Sequence, residues 1–171
     1  MRQLFLSFLG TGYLKPAPGT WGSLAAVIAA LPLINASPLL FLAASGVVTA
    51  FAFRAVRAEM AASPVHDPSW IVIDEVVGQW VALLPVALGV WMTGANVLSL
   101  WPGLVAAFIF FRLFDIWKPG LVGRLDRQET PDSIISDDIA AGLFAAITVA
   151  LLAALAHGAM AYVVTSFPAP A

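Results

Sequence analysis

The chain contains five long apolar stretches separated by short polar segments. Apolar runs of this length are typical of helices, because buried strands are much shorter. A helix needs roughly 20 residues to cross the hydrocarbon core of a bilayer, within a range of about 17–25. The last three stretches reach that length, and the first two predict either full spans or a short hairpin that enters the bilayer without crossing it. The stretches are Trp21–Ile34, Leu39–Phe53, Trp70–Met92, Val97–Trp117 and the run from Ser133 past Leu155 to a boundary at His157–Gly158.

The polar segments predict where the helices end. Asn35–Pro38 is a turn signal, and Arg54 is expected to end the second helix. Leu4–Leu9 predicts a short helix that lies on the membrane surface, and no small-residue cleavage site marks a signal peptide. Lys118–Asp132 is the one long polar stretch. We therefore predict an all-α, polytopic membrane helix bundle of about five apolar helices, preceded by a short interfacial helix, in a single domain over residues 1–171.

Composition supports a membrane protein. Of 171 residues, 61% are hydrophobic and 11% are charged, whereas soluble domains carry about 25% charged residues. These numbers disfavour a soluble enzyme and exclude a disordered chain. The net charge of −2 gives no support to nucleic-acid binding. The absence of cysteine excludes disulfides, thiolate metal sites and cysteine nucleophiles.

The charged residues have a one-sided distribution. If the five stretches alternate in direction, all eight basic and all ten acidic residues fall on the same side of the membrane. An excess of Lys and Arg marks the cytoplasmic side. That rule makes no such demand on acidic residues, so their clustering predicts a functional site at the cytoplasmic face.

Two pairs of adjacent acids each open an apolar helix. Asp74 and Glu75 are followed by Gly78, and Asp137 and Asp138 are followed by another small residue about a turn later. Acids near a helix N-terminus are favoured by the helix dipole, which is the structural explanation. However, ionisable residues embedded in a span cost at least about 2.5 kcal/mol each and are functional by default. We favour function for both pairs.

Two further segments carry candidate chemistry. Arg112, Asp115 and Lys118 recur every three residues and share one face of the fourth apolar helix, although a helix-end cation and an ordinary ion pair would also explain them. The loop Gly10–Ser23 is rich in Gly and Pro and contains Lys15. Thr20 or Ser23 can cap the following helix and leave N–H groups for an anion. Taken alone, this loop is best explained as a rigid helix cap.

Converging carboxylates repel one another unless a cation neutralises them. Because the candidate ligands are oxygens only, the ion should be hard: Mg²⁺, or Mn²⁺ or Ca²⁺. Carboxylates with a metal ion on one side and Arg and Lys on the other are typical of phosphoryl transfer. A site at the cytoplasmic surface suits a lipid with a phosphorylated headgroup.

Four segments in this order resemble the phosphatidylglycerophosphatase A family. They are PAPGTWGSL at Pro16–Leu24, DPSWIVIDEVVGQW at Asp67–Trp80, FRLFDIWKP at Phe111–Pro119 and DDIAAG at Asp137–Gly142. The resemblance implies Mg²⁺-dependent hydrolysis of phosphatidylglycerophosphate to phosphatidylglycerol and phosphate in the bacterial inner membrane. The chain departs from the family at Glu129–Ser136, where a Gly-rich stretch is common.

On this reading the acid pairs Asp74, Glu75, Asp137 and Asp138 are Mg²⁺ ligands or catalytic carboxylates. Asp115 is a further ligand or the group that orients Arg112. The nucleophile is either water activated by the metal or a carboxylate, or an aspartate that forms a phosphoenzyme. His66 is a candidate general acid or a structural loop residue, and Asp67 either orients a cation or acts as a distal ligand. The phosphate is expected to bind Arg112 and Lys118, with Lys15, Thr20 and Ser23 as weaker candidates.

A small ion transporter or channel with a carboxylate cation site is the alternative function. Such a protein places acids near the bilayer midplane and on both sides of a pathway. Here the acids cluster at one end, which favours the enzyme. The sequence makes no prediction of oligomeric state.

Overall fold

The computed structural model describes residues 1–62 and 68–166, with side chains described as far as Gly158. His66 and Asp67 lie outside the described residues. The described part is helical and contains no strand, as predicted. Its α-helices are α1 (Arg2–Leu6), α2 (Pro18–Ala36), α3 (Pro38–Met60), α4 (Ile73–Ala82), α5 (Leu84–Thr93), α6 (Trp101–Trp117), α7 (Leu121–Asp126) and α8 (Ser133–Ser166).

The N-terminal helix differs from its predicted range. It covers Arg2–Leu6 rather than Leu4–Leu9, because Phe8 and Leu9 have left-handed backbone conformations with φ of 41° and 59°. A right-handed helix cannot continue through such residues. The Leu6 side chain is buried, and the Leu6 carbonyl accepts a hydrogen bond of 2.9 Å from the N–H of Val72. The short helix is therefore fastened to the segment that leads into α4.

The first two apolar stretches form longer helices than their apolar residues suggest. They have 19 and 23 residues and are long and apolar enough to cross a membrane. Arg54 does not end α3, which continues to Met60. Arginine is a good helix former, and its long side chain can reach solvent from a helix end. Three residues later, Arg57 donates to Asp132 at 2.5 and 2.8 Å. This ion pair lowers the pKa of the exposed Asp132 carboxyl.

The third stretch is a broken helix, whereas the sequence predicted a continuous span. Its halves α4 and α5 meet at Leu83 with a bend of 41°. Pro85 in the first turn of α5 has no N–H to donate to the preceding turn, and its ring disfavours a straight helix.

The last two stretches are confirmed as long helices. A 3-10 turn at Val97–Leu100 leads into α6, which ends at Trp117, and α8 runs through His157 to Ser166. Among the described residues, four helices are long and apolar enough to cross a membrane, or five if α4 and α5 count as one broken span. Large apolar side chains on their outer faces are exposed, which is expected of surfaces that contact lipid. The protein is a multi-pass membrane protein.

Helix α4 lies at the centre of the bundle. Its Trp80 indole donates to the carbonyl of Ala26 on α2 at 2.9 Å and packs against Phe41 on α3. On its other side it crosses α8 closely: a Cβ on Gly78 would lie 2.6 Å from the Asp138 carbonyl oxygen. Only glycine permits this approach, as the sequence predicted for Gly78.

The two ends of the bundle have different chemistry. At one end the α2–α3 turn meets the segment after α5, where the N–H of Val97 donates to Asn35 at 3.4 Å. At the opposite end, Arg57 pairs with Asp132, and Arg2 pairs with Glu59 at 2.7 Å. The charged residues thus gather at the end where α2, α4 and α8 begin and α6 stops.

Candidate active site

A cavity of about 690 Å³ opens at the charged end of the bundle. Its walls are the first turns of α2, α4 and α8, the last turns of α6, and α7 with the turn that follows it. The charged residues that line it are Asp74, Glu75, Arg112, Asp115, Lys118, Asp126, Arg127, Glu129, Asp137 and Asp138.

Three of these acids form a compact cluster. One carboxylate oxygen each from Asp74, Glu75 and Asp138 lies within 4.8 Å of the others. The side chains of Asp74 and Asp138 are almost fully buried, at 8% and 4% exposure. The close crossing of α4 and α8 at Gly78 brings the two acid pairs to the same depth. The cluster therefore joins acids that are more than 60 positions apart in the chain.

The chemistry of the cluster fits a bound cation. Glu75 Oε2 is buried and has no hydrogen-bond partner among the described residues. Leaving a buried carboxylate oxygen unpartnered is costly, and several carboxylates close together repel one another. A divalent ion would satisfy both demands, and an all-oxygen ligand set selects a hard ion. The acid cluster can thus hold a metal ion.

Asp137, the fourth predicted ligand, lies outside the cluster of three. Its Oδ2 accepts a hydrogen bond of 3.2 Å from Lys118 Nζ. The same ammonium group donates to Asp126 on α7. Burial by itself lowers the pKa of Lys118, but its hydrogen bonds and attraction to Asp126 and Asp137 outweigh burial and raise it. Lys118 therefore stays charged and connects α6, α7 and α8.

Arg112 lies on the α6 wall and is held in place by its neighbours. Its Nη1 pairs with Asp115 at 2.6 Å and lies 3.5 Å from Ser23 Oγ, which itself donates to the Gly19 carbonyl at 2.7 Å. Arg112 Nε is buried without a hydrogen-bond partner among the described residues. The described residues thus leave one donor of the guanidinium unused. Asp115 also lies near Asp138, but its shortest ion pair favours the orienting role over metal ligation.

The weaker phosphate candidates have different positions. Lys15 is exposed, and neither Lys15 nor Thr20 lines the cavity. Ser23 is buried behind the wall, in contact with Arg112. The structure therefore groups Arg112 and Lys118 with the acids, and it does not group Lys15 and Thr20 with them.

Sequence reasoning missed residues on two walls. A Cβ on Gly19 would overlap a Glu75 carboxylate oxygen and would lie only 3.2 Å from Arg112 Nη1. The Gly/Pro-rich loop is a signal in the sequence, but a glycine has no functional group, so the prediction falls on the neighbouring Thr20 and Ser23. Asp126, Arg127 and Glu129 line the cavity from α7 and the turn that follows. They lie in an irregular polar segment, where no periodicity marks a functional residue.

The fold and the cavity define a class: a helical, multi-pass membrane protein in which a carboxylate cluster that can hold a metal ion lies beside basic side chains. The sequence model of the phosphatidylglycerophosphatase A family matches residues 4–153. The chain belongs to this family, and it is a phosphatase.

Relatives support the assignment over most of the chain. A Haemophilus influenzae protein named phosphatidylglycerophosphatase A is 36% identical over 82% of this chain and 81% of its own length. The Escherichia coli protein of the same name is 31% identical over 80% of this chain and 74% of its own length. A Bacteroides thetaiotaomicron protein, provisionally named a phosphatidylinositol-3-phosphatase, is 33% identical over 83% of this chain and 87% of its own. No solved structure matches the chain.

Proposed function

We propose that this protein hydrolyses the phosphate monoester of phosphatidylglycerophosphate to phosphatidylglycerol and phosphate. The reaction depends on Mg²⁺ and takes place at the cytoplasmic face of the bacterial inner membrane. The observation that carries the proposal is the convergence of Asp74, Glu75 and Asp138 with Arg112 and Lys118 in one cavity. Family membership and the names of two relatives support the substrate.

In the proposed reaction, Asp74, Glu75 and Asp138 would hold the ion. When bound there, Mg²⁺ would supply positive charge and Lewis acidity towards a phosphoryl oxygen. Arg112, fixed by Asp115, donates to the phosphoryl oxygens, and Lys118 adds positive charge at the same wall. The bond between phosphorus and the glycerol oxygen breaks, water supplies a hydroxyl to phosphorus, and the departing oxygen takes up a proton.

The location of the cavity supports the lipid substrate and the orientation. The bundle exposes apolar side chains on its outer faces, and the cavity opens at the end that carries the Lys and Arg residues. A lipid headgroup is expected beyond the apolar faces, at an end of the bundle, and the basic end of a membrane protein faces the cytoplasm. An ion transporter is disfavoured, because the acids of the described residues lie at one end of the bundle rather than along a pathway.

The phosphatidylinositol-3-phosphatase name of one relative makes phosphatidylinositol 3-phosphate the competing substrate. We expect purified protein in detergent micelles to release phosphate from phosphatidylglycerophosphate with a much higher kcat/KM than from the phosphoinositide. Chelation with EDTA should stop release, and added Mg²⁺ should restore it. Release from the phosphoinositide alone would reassign the substrate, and no release from either lipid would remove the proposed function.

A further inference from the structure

Three basic residues line the cavity, and they differ in whether they have an ion pair. Arg112 is paired with Asp115, and Lys118 is paired with Asp126 and Asp137. Arg127 also lines the cavity, yet it has no ion pair among the described residues. Of the three basic residues, Arg127 is therefore the one whose charge is not already neutralised by an acid of the described residues.

The position of Arg127 separates it from the acid cluster. It follows α7 directly, whereas the cluster belongs to α4 and α8. Its Nη1 lies 3.2 Å from the place where a Cβ on Gly123 would be, and that same place is 2.6 Å from the Lys118 carbonyl oxygen. The Arg127 guanidinium therefore lies over the start of α7 and close to Lys118, which pairs with Asp137.

The same wall carries large exposed apolar side chains. Ile116, Trp117 and Leu121 precede and follow Lys118, and their side chains are 71%, 69% and 50% exposed. Exposed apolar side chains of this size at a helix end are suited to lipid chains and the interface. A lipid whose phosphate monoester lies in the acid cluster would therefore pass its glycerol backbone along α7 towards these residues.

We infer that Arg127 binds a second anionic group of the substrate, the phosphodiester that joins the two glycerol units of a phospholipid. This inference rests on the proposed function. A guanidinium can donate two parallel hydrogen bonds to a phosphate, and the acids in the cavity outnumber its basic residues, so a free cation is needed for a second negative group. Phospholipids with a monoester but no second phosphate leave this residue without a partner, so Arg127 determines specificity.

The test uses purified full-length protein in nonionic micelles and the Arg127→Gln variant. Phosphatidylglycerol keeps the phosphodiester but lacks the monoester, whereas inorganic phosphate resembles the monoester alone, so each probes one subsite as an inhibitor. We expect Arg127→Gln to raise KM for phosphatidylglycerophosphate and Ki for phosphatidylglycerol about tenfold. The kcat and the Ki for inorganic phosphate should remain near wild type, and Arg127→Lys should recover part of the loss.

Arg124→Gln is the matched control, since Arg124 is exposed on α7, three residues before Arg127, and does not line the cavity. It should behave like wild type. Unchanged constants in Arg127→Gln, or equal losses towards both inhibitors, would overturn the inference. A parallel loss of inhibition by oleate, an anionic amphiphile without a phosphodiester, would also overturn it by showing attraction to any anionic surface. The proposed function fails separately, if wild-type protein does not release phosphate.

Discussion

Gly19 lies against one acidic and one basic side chain of the cavity, Glu75 and Arg112. A Cβ at this position would lie 3.0 Å from Glu75 Cδ and 3.2 Å from Arg112 Nη1, and closer still to a Glu75 carboxylate oxygen. The first turn of α2 thus contributes to the site because the missing side chain of Gly19 leaves room for Glu75 and Arg112. Residues of this kind are hard to find in a sequence, because a glycine has no functional group to mark it.

Gly19→Ala should therefore reduce activity without unfolding the protein. The methyl group must displace Glu75 or Arg112, and displacements of about 1 Å in an active site can cost roughly 100-fold in rate. We expect kcat for phosphate release to fall at least about tenfold. Gly46→Ala is the control, since no heavy atom lies within 4 Å of its Cβ position. Equal kinetics for the two variants would contradict this role of Gly19.

Besides its proposed role in binding the phosphate, Lys118 holds α7 against the bundle. Its ammonium group contacts Asp126 and the nearly buried Asp137. Because its folded-state pKa is raised, the stabilisation is complete below the unfolded pKa of about 10.4 and is lost only as pH rises through the higher folded value. The contacts should thus persist throughout the neutral range.

Lys118→Met should release α7 from the bundle. Trypsin should then cleave after Arg124 and Arg127 faster than in the wild type, because a locally opened segment is a better substrate for the protease. Lys118→Arg should retain most of the protection, and wild-type protection should be the same at pH 7 and pH 9. Cleavage rates unchanged in Lys118→Met would show that α7 is held by other contacts.

At the scale of the helices, the crossing of α4 and α8 determines the geometry of the site. Gly78 and Gly142 face each other across it, and a side chain on either would meet backbone atoms of the opposite helix. Backbone atoms cannot move aside as flexible side chains can. The distance between the two acid pairs therefore depends on these two glycines.

Gly142→Ala should both destabilise the bundle and weaken the cation site. Overpacking of a tight contact typically costs about 1–3 kcal/mol, so the unfolding temperature in detergent should fall. The affinity for Mn²⁺, measured by paramagnetic resonance, should fall with it. Gly158→Ala lies on the same helix in open space and should change neither quantity. If the two variants have equal stability and affinity, the crossing does not set the site.

The sequence predicted the acid pairs and the main helices for a clear physical reason. Charges within apolar stretches are costly, so Asp74 and Asp138 stand out against their surroundings. The bend at Pro85 was missed, because proline is tolerated in membrane helices and the stretch stays apolar across it. Arg127 was missed because the polar segment around it has no periodic pattern, and only the folded chain shows which of its charges face the cavity.

At the scale of the whole molecule, the orientation in the membrane remains a prediction. The chain contains no cysteine, so labelling of a single introduced cysteine reports the membrane side of that one position. A membrane-impermeant maleimide should label the Asn96→Cys variant in spheroplasts. It should label the Gln128→Cys variant only in inverted membrane vesicles. Both positions are exposed and belong to opposite ends of the bundle. Labelling of the Asn96→Cys variant from the cytoplasmic side alone would reverse the proposed orientation.

The central claim is that the acid cluster on α4 and α8 holds the metal ion that hydrolysis requires. The most direct measurement is the rate of phosphate release from phosphatidylglycerophosphate as Mg²⁺ is titrated into wild type, Asp138→Asn and Asp132→Asn. Asp132 pairs with Arg57 and does not line the cavity, so its variant controls for the loss of a carboxylate. We predict saturable Mg²⁺ activation of the wild type and of Asp132→Asn, and a rate at least about 100-fold lower for a folded Asp138→Asn variant. A near-wild-type rate in Asp138→Asn, or full activity in the presence of EDTA, would contradict the claim.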